Sequence, residues 1–564
     1  MQLLLIISLA IYLALGVPSP LAKDTLGYGL MAQAQTDTSP PKVVDAGSKN
    51  PVAQVTEEDI GGLFIRGEDH LHHWEIDKAD EAAKKILGLQ PDSPEGLYLT
   101  AKVRFYQGRY KEALELLKGS PQNFLDGRRL LAFITNIHET TKDFREHPTE
   151  HFVIRYTTGK DEVLLEDTER ALEQVYKEIG HDLRYFPEEK IVVEVYPSVD
   201  SFSAASTLKR KEIETSGTVA ICHFNRLMIM SPRLLLRGYP WMETLAHEYV
   251  HYIITKRTRN LTPIWFHEGL AKYEESRWKS SQGMELTPVQ SHLLAQAIEQ
   301  DYFITFEEMH PSIAKLKSAE DAALAFAEVL TAMRYIVEKG GYPLLNKILD
   351  EIGAGRSVEE AVEVGLGMPF EDFERDWRAY MRTLGLKKIP GLRVMPLKIK
   401  GPGAKEESPT EIEVADARKF TMLGDLLEEE NRPDAALFEY KKARKHAGLG
   451  SPQILNKLAR AYMQNHRDDD AQRVLHDALS YYPNYVTVYI TQGELHKKRG
   501  ETDRAIESFK SASHINPFNP AVHQRLAQLY TTAGNKEAAK KSLEKLAIIL
   551  KEFGGHEAGE KGAE

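Results

Sequence analysis

The run Glu243 to Ile254 reads ETLAHEYVHYII and sets His247 and His251 four residues apart, with Glu248 beside the first. On a helix four residues turn the chain by about 400°, so the two imidazoles project ~40° apart, one turn from each other on a single face. Two ring nitrogens so placed can reach one Zn²⁺. Glu248 does not easily share that face, and it is placed to take a proton from a water that the metal activates. A second run, Pro263 to Glu275, reads PIWFHEGLAKYEE, and its Glu268 follows His251 by 17 residues, enough for a turn and a return helix. A carboxylate brought back in this way completes a His₂Glu set and leaves the fourth coordination position to water. His267 is the rival donor: adjacent helical residues point about 100° apart, so only one of the pair faces the metal. His₂Glu ligation favours Zn²⁺ as the cofactor. Glu274 and Glu275 are candidates to orient a ligand, with a solvated charged face as the preferred reading.

These groups need rigid elements behind them. Leu245, Ala246, Tyr249, Val250 and Ile253 supply apolar contacts that bury the first helix, and Pro263 suits the start of the second. Upstream, HFVIRY (151–156) and KIVVEVY (190–196) carry strand patterns, with helical spacing between them from Asp161 to Gly180. GTVAICHFNRLMIMSP (217–232) reads as two strand segments near a bend, and helices follow to about Gly385. Strands first and helices after imply an α+β domain. Cys222 and His223 do not make a second metal site, because adjacent strand residues point to opposite faces.

The flanks differ in composition. Leu3 to Val17 is an apolar run of signal-segment length, with an Ala-x-Ala site at Ala32 and Ala34. Residues 1–34 are therefore expected to be a signal peptide or an N-terminal membrane anchor. Either places the body outside the cytoplasm, as in a periplasm. Residues 35–56, rich in Pro, Ser, Asp and Gly, read as a linker. In 57–145, the pattern of Ala101, Tyr106, Gly108, Tyr110, Ala113 and Leu117 gives helix, turn, helix, and resembles a tetratricopeptide repeat in one or two units. After a Pro/Gly/Lys-rich linker at 389–414, small residues recur at Gly424, Ala459, Gly493 and Ala527, and again at Ala436, Ala471, Ala505 and Ala539. Both series step by 35, 34 and 34, and Tyr440, Leu475, Phe509 and Leu543 follow the second set. Residues 415–553 resemble stacked tetratricopeptide repeats, which implies a groove for a peptide or partner protein. Residues 554–564 form a tail. A lone Cys222 excludes a disulfide within the chain, and it leaves no lipid-anchor cysteine after the signal segment. With 72 Lys+Arg against 83 Asp+Glu, the net charge of −11 argues against nucleic acid as a partner.

Trp265, Glu268, Gly269, Leu270, Ala271 and Tyr273, taken with the His-Glu-x-x-His run, resemble the gluzincin metallopeptidases, most closely peptidase-MA-like domains. Metzincins are set aside, because Ile254 and Arg257 stand where they carry Gly and His. The resemblance covers residues 146–388 and implies a zincin-type fold flanked by all-α repeat segments. It implies metal ligands at His247, His251 and Glu268 and a general base at Glu248, and leaves His267 outside the ligand set. It also implies an edge strand lining the cleft, with substrate backbone along Thr218 to His223. Such enzymes use a Tyr or His to stabilise the oxyanion. Phe326 stands where a Tyr is expected, so Tyr335 is the substitute donor, with Tyr342 and His310 as other candidates. The function expected is an exported zinc endopeptidase whose repeats bind peptide or protein substrates or partners. The alternative is a weakly active or inactive envelope scaffold that binds proteins through its repeats.

Overall fold

The structure is a computed structural model that describes residues 59–119, 124–125, 127–280, 282–395, 397–401 and 404–551. The signal or anchor segment, the linker at 35–56 and the tail at 554–564 lie outside the described residues.

The chain opens with five helices: α1 (Ile60–His72), α2 (Ile76–Leu89), α3 (Pro94–Tyr106), α4 (Tyr110–Gly119) and α5 (Gly127–Thr141). Asp59 caps α1 by accepting from Gly62 N–H, and Ser93 caps α3 with Pro94 at its first position. The starts of α1 and α3, and those of α2 and α4, lie 34 residues apart, so the first four helices form two like hairpins. They approach closely because Gly67 has no side chain; a Cβ there would lie 2.2 Å from Leu99 Cδ2.

The sheet comes next. Its strands are β1 (Phe144–Pro148), β2 (Phe152–Thr157), β3 (Ile191–Tyr196), β4 (Ala220–His223) and β5 (Arg226–Met230), in the order β1-β2-β3-β5-β4. β1 was not legible, because FREHP lacks apolar alternation. β2, β3 and β5 run parallel; β1 and β4 are antiparallel edges. The parallel pair β2–β3 needs a crossover, which α6 (Leu165–Asp182) supplies; α7 (Val199–Ser206) and α8 (Arg210–Ser216) precede β4. The register pairs Ile154 with Val193, Val193 with Leu227, and Leu227 with Cys222, placing these four on one face. The other face carries Arg155, Glu194 and Arg226 against the first helices. Arg226 Nε lies 3.3 Å from Glu194, Tyr110 donates to Glu194, and the guanidinium sits 4.9 Å over the Phe105 ring. Pairing makes this buried charge tolerable and pins the N-terminal hairpins to the sheet.

Six helices complete the middle of the chain: α9 (Trp241–Arg257), α10 (Ile264–Glu274), α11 (Pro288–Gln300), α12 (Ala319–Gly353), α13 (Val358–Leu366) and α14 (Phe370–Thr383). α12 bends at Gly341, whose φ is 64°. The stretch read as a linker, 389–414, is docked. Leu235 and Ile399 form a β-bridge, Leu236 N–H donates to Lys398 O at 2.8 Å, and Leu392 and Val394 are buried.

Four helical hairpins follow: α15 (Ala415–Glu429) with α16 (Pro433–Ala447), α17 (Pro452–Gln464) with α18 (Asp468–Tyr481), α19 (Val486–Lys498) with α20 (Thr502–Ile515), and α21 (Pro520–Thr532) with α22 (Lys536–Leu550). A Cβ on Gly424 would meet the Tyr440 ring at 2.5 Å, and one on Gly493 the Phe509 ring at 2.8 Å. The small positions of the repeat therefore receive its large ones. Tyr440, Leu475 and Phe509 are buried, whereas Leu543 on α22 is 54% exposed, with no following hairpin among the described residues to cover it.

Candidate metal centre

α9 is enclosed nearly all round, and all its residues from Trp241 to Thr255 are buried, polar ones included. A helix so enclosed holds its side chains in fixed rotamers. It ends in a turn with Arg259 and Asn260 in the left-handed region (φ 55° and 59°), which Asn tolerates. Asn260 Nδ2 donates to His72 O at 3.1 Å, and Lys256 Nζ to Trp74 O at 3.2 Å, so the first hairpin braces this turn. The chain then returns as α10, which lies close against α12 at Gly269. A Cβ there would sit 2.9 Å from Val329 O and 3.0 Å from Met333 Cγ.

This packing brings His247, His251 and Glu268 together, all buried, with one ligand atom from each within 4.8 Å of the others. His247 Nε2 lies 3.3 Å and His251 Nε2 3.6 Å from the same oxygen, Glu268 Oε2. Zinc bonds of about 2.0–2.1 Å in a tetrahedron hold neighbouring donors roughly 3.3–3.4 Å apart, so the donor set fits that ion. His251 Nε2 is buried without a hydrogen-bond partner, as a nitrogen reserved for a cation would be.

The other ring nitrogens face protein groups. His247 Nδ1 lies 3.5 Å from Glu275 Oε2, while Glu275 Oε1 accepts from Lys272 Nζ at 2.6 Å. His251 Nδ1 and His267 Nδ1 are 3.0 Å apart. His267 thus backs a triad histidine and does not join the donor atoms. The reading of Glu274 and Glu275 as a solvated face is corrected: both are buried, because α10 is wedged between α9 and α12. Glu274 accepts from the Tyr342 hydroxyl at 2.8 Å, and burial, with Asp182 nearby, pushes its carboxyl up to about 8.

Burial works against charge throughout the site, and the partners decide the outcome. Burial lowers the imidazole of His247, but the carboxylates of Glu268 and Glu275 outweigh this and hold it up at about 9. Burial raises Glu268, and His251 and His247 bring it down to about 2. His267 is driven down to about 3 by burial and by His251. An anionic carboxylate facing clustered imidazoles traps a proton, and a divalent cation supplies the same charge more fully.

Glu248 is fully buried on α9. Its charge is felt by Cys222 on β4 and by Tyr239, so it lies on the sheet side of the helix. β4, containing four of the residues expected to meet substrate, is the outermost strand on that side. Tyr335 is not brought to the triad. Val329 and Met333 face α10; Tyr335, two residues past Met333, lies about 200° round the helix, with its ring 5.3 Å from Tyr380 and 6.0 Å from Phe373. Phe326 does share the face of Met333, seven residues on, and brings no hydroxyl there. Tyr342 is committed to Glu274, and His310 is exposed. Of the two readings for Glu275 the one that orients a ligand fits its place, and the spacing supports it, since Glu275 follows Glu268 by seven residues and falls on the same face of α10.

No curated protein matches the chain. Similar solved structures include a MamA protein, 22% identical over 24% of this chain and 73% of that one, with a TM-score of 0.22. A thermophilic TPR protein from Thermus thermophilus is 22% identical over 24% of this chain and 74% of its own (TM-score 0.22). YrrB, a TPR protein with an unusual peptide-binding site, is 18% identical over 24% and 71% (TM-score 0.22). Family models for the tetratricopeptide repeat match residues 456–520 and 497–550, and the Peptidase MA superfamily model matches residues 179–383. The chain thus carries a Peptidase MA superfamily domain, with the His-Glu triad inside it, followed by tetratricopeptide repeats.

Proposed function

We propose that this protein is an exported zinc-dependent endopeptidase whose repeats hold the polypeptides it cleaves. The observation that carries this reading is the convergence of His247 Nε2 and His251 Nε2 on Glu268 Oε2, with Glu248 one position along the same helix. His247, His251 and Glu268 hold the ion, and Glu275, with Lys272 behind it, and His267 keep the two rings turned toward it. Zn²⁺ when bound supplies Lewis acidity, polarising a scissile carbonyl and making water acidic. Glu248 takes a proton from the attacking water and delivers it to the leaving amine. β4 offers an edge along which substrate backbone pairs. Export rests on the apolar run Leu3 to Val17. Among the described residues, no helix is long and apolar enough to cross a membrane.

A second reading, a protein-binding scaffold with an idle peptidase domain, is favoured by Phe326, which puts a ring without a hydroxyl where an oxyanion donor is expected. Zinc content and cleavage of a broad peptide mixture, measured on the purified protein and on Glu248→Gln, separate the two. One zinc per chain in both proteins and cleavage only by the parent supports the peptidase. Zinc in both without cleavage supports the scaffold, and zinc in neither ends both forms of the metal-site reading.

A further inference from the structure

The triad is closed to solvent: His247 and His251 are 0% exposed and Glu268 2%. A substrate needs a space that leads onto the faces carrying these groups. Glu243, His247 and His251 recur every four residues and form one stripe along α9. Glu268 and Glu275, seven apart, form a stripe along α10. Both stripes end at the same chamber, a cavity of about 1060 Å³ with Glu243 and Glu275 in one wall. The facing wall belongs to the repeats, with His514, Ile515, Leu526 and Tyr530 among its residues. Glu275 thus lines the chamber while its Oε2 lies 3.5 Å from His247 Nδ1.

The lining has a definite chemistry. Met242, Trp278, Met284 and Tyr489 give it an apolar floor, and Ser511 and Ser513 add hydroxyls. Methionine adapts to apolar groups of different shape, and Tyr and Trp combine a flat apolar body with a polar tip. The basic groups of the wall are neutralised in place: Lys541 pairs with Glu166, Lys545 with Asp167, and Lys279 with Glu243. With as many carboxylates as cations, the chamber has no surplus charge for a phosphate-bearing ligand. The repeats are fixed as its wall by His514 Nε2, which lies 2.8 and 3.0 Å from the two oxygens of Glu243. The His514 ring stacks on Trp278, and Ile515 O accepts from Tyr239 N–H at 3.0 Å.

We infer that this chamber receives a segment of unfolded polypeptide and leads it along the α9 and α10 stripes to the triad, so that the repeats form a wall of the substrate cleft. The inference rests on the peptidase reading for the destination of the segment; the chamber's occupancy is measurable without turnover.

The test uses the full chain carrying Glu248→Gln, with fluorescein-labelled, reduced and carboxymethylated lactalbumin as probe and native lactalbumin as its folded counterpart. Two further variants fill the chamber: Ser511→Trp, on its wall, and Ala538→Trp, at a half-buried lining position on α22. Lys540→Trp, outside the lining, is the control. The expected result is binding of the unfolded probe only, weakened at least tenfold by Ser511→Trp and by Ala538→Trp and unchanged by Lys540→Trp, with equal zinc content throughout. Binding that survives both chamber variants, equal binding of the folded protein, or no binding by the Glu248→Gln parent would overturn the inference. Loss of probe binding in the chamber variants of a protein that holds no zinc would leave the chamber standing and remove the metallopeptidase reading.

Discussion

His247 has a carboxylate oxygen on both sides of its ring, Glu268 3.3 Å from Nε2 and Glu275 3.5 Å from Nδ1. A carboxylate behind a ligand histidine fixes its tautomer and raises its basicity, so removing the charge weakens the hold on the metal. Glu275→Gln is therefore expected to lower zinc affinity by roughly 10–100-fold, and also to lower the thermal midpoint of the metal-free protein, because the buried Lys272 loses its counter-charge. Competition against a chromophoric chelator measures this, and an unaltered affinity would leave Glu275 with no role at the centre. The His-x-x-x-His spacing is legible because both ligands lie on one helix, where arithmetic replaces tertiary knowledge. Glu275 obeys the same arithmetic relative to Glu268. The candidate positions for an oxyanion donor on α12, Phe326 and Tyr335, do not, since they sit on a different helix from the ligands. The spacing within α12 says which residues share a face; which face meets α10 is decided by packing around Gly269.

Among the elements, α9 and α10 owe their placement to that glycine. With Val329 O 2.9 Å from where a Cβ would stand, Gly269→Ala must push α10 off α12. Overpacking of this kind typically costs about 1–3 kcal/mol. The expected result is a lower melting temperature together with weaker zinc binding, because Glu268 is the adjacent residue. A variant as stable as the parent would show that the backbone relaxes at no cost. The repeats and the two active helices were readable because their signal is local: a 34-residue period, or a four-residue one. β1 was hidden because its strand character comes only from pairing with β2, and the docked linker because its bridge to Leu235 lies far off in sequence. The two N-terminal hairpins carry the same 34-residue offset as the C-terminal ones, and the repeat pattern was readable in the second of them, from Ala101 to Leu117, while two units are too few to display a period.

For the whole molecule, the junction between repeats and peptidase domain turns on one carboxylate. Glu243 opens α9, is buried, and meets His514 from α20 and Lys279 from the segment after α10. Burial alone would raise its pKa, yet the neighbouring His514 and Lys279 hold it down at about 2, against an ordinary value of 4.5. A depressed carboxylate contributes stability that is present above its unfolded-state pKa and lost as the pH falls toward its folded one. The window is therefore about pH 4.5 down to about 2, and the full contribution is on the order of 3 kcal/mol. Other carboxylates titrate in the same range, so the quantity to follow is the difference between the parent and Glu243→Gln. Denaturant unfolding at a series of pH values is expected to show the parent more stable at pH 6, with more than half of its advantage gone by pH 3. Because Glu243 also stands at the end of the ligand stripe, the same acid step should loosen the repeats from α9, raising the accessibility of the chamber to the unfolded probe before the peptidase domain itself unfolds. A stability difference that stays flat with pH would mean that His514 and Lys279 hold Glu243 no more firmly than water does, and that the two modules are joined chiefly by the apolar and backbone contacts around Ile515.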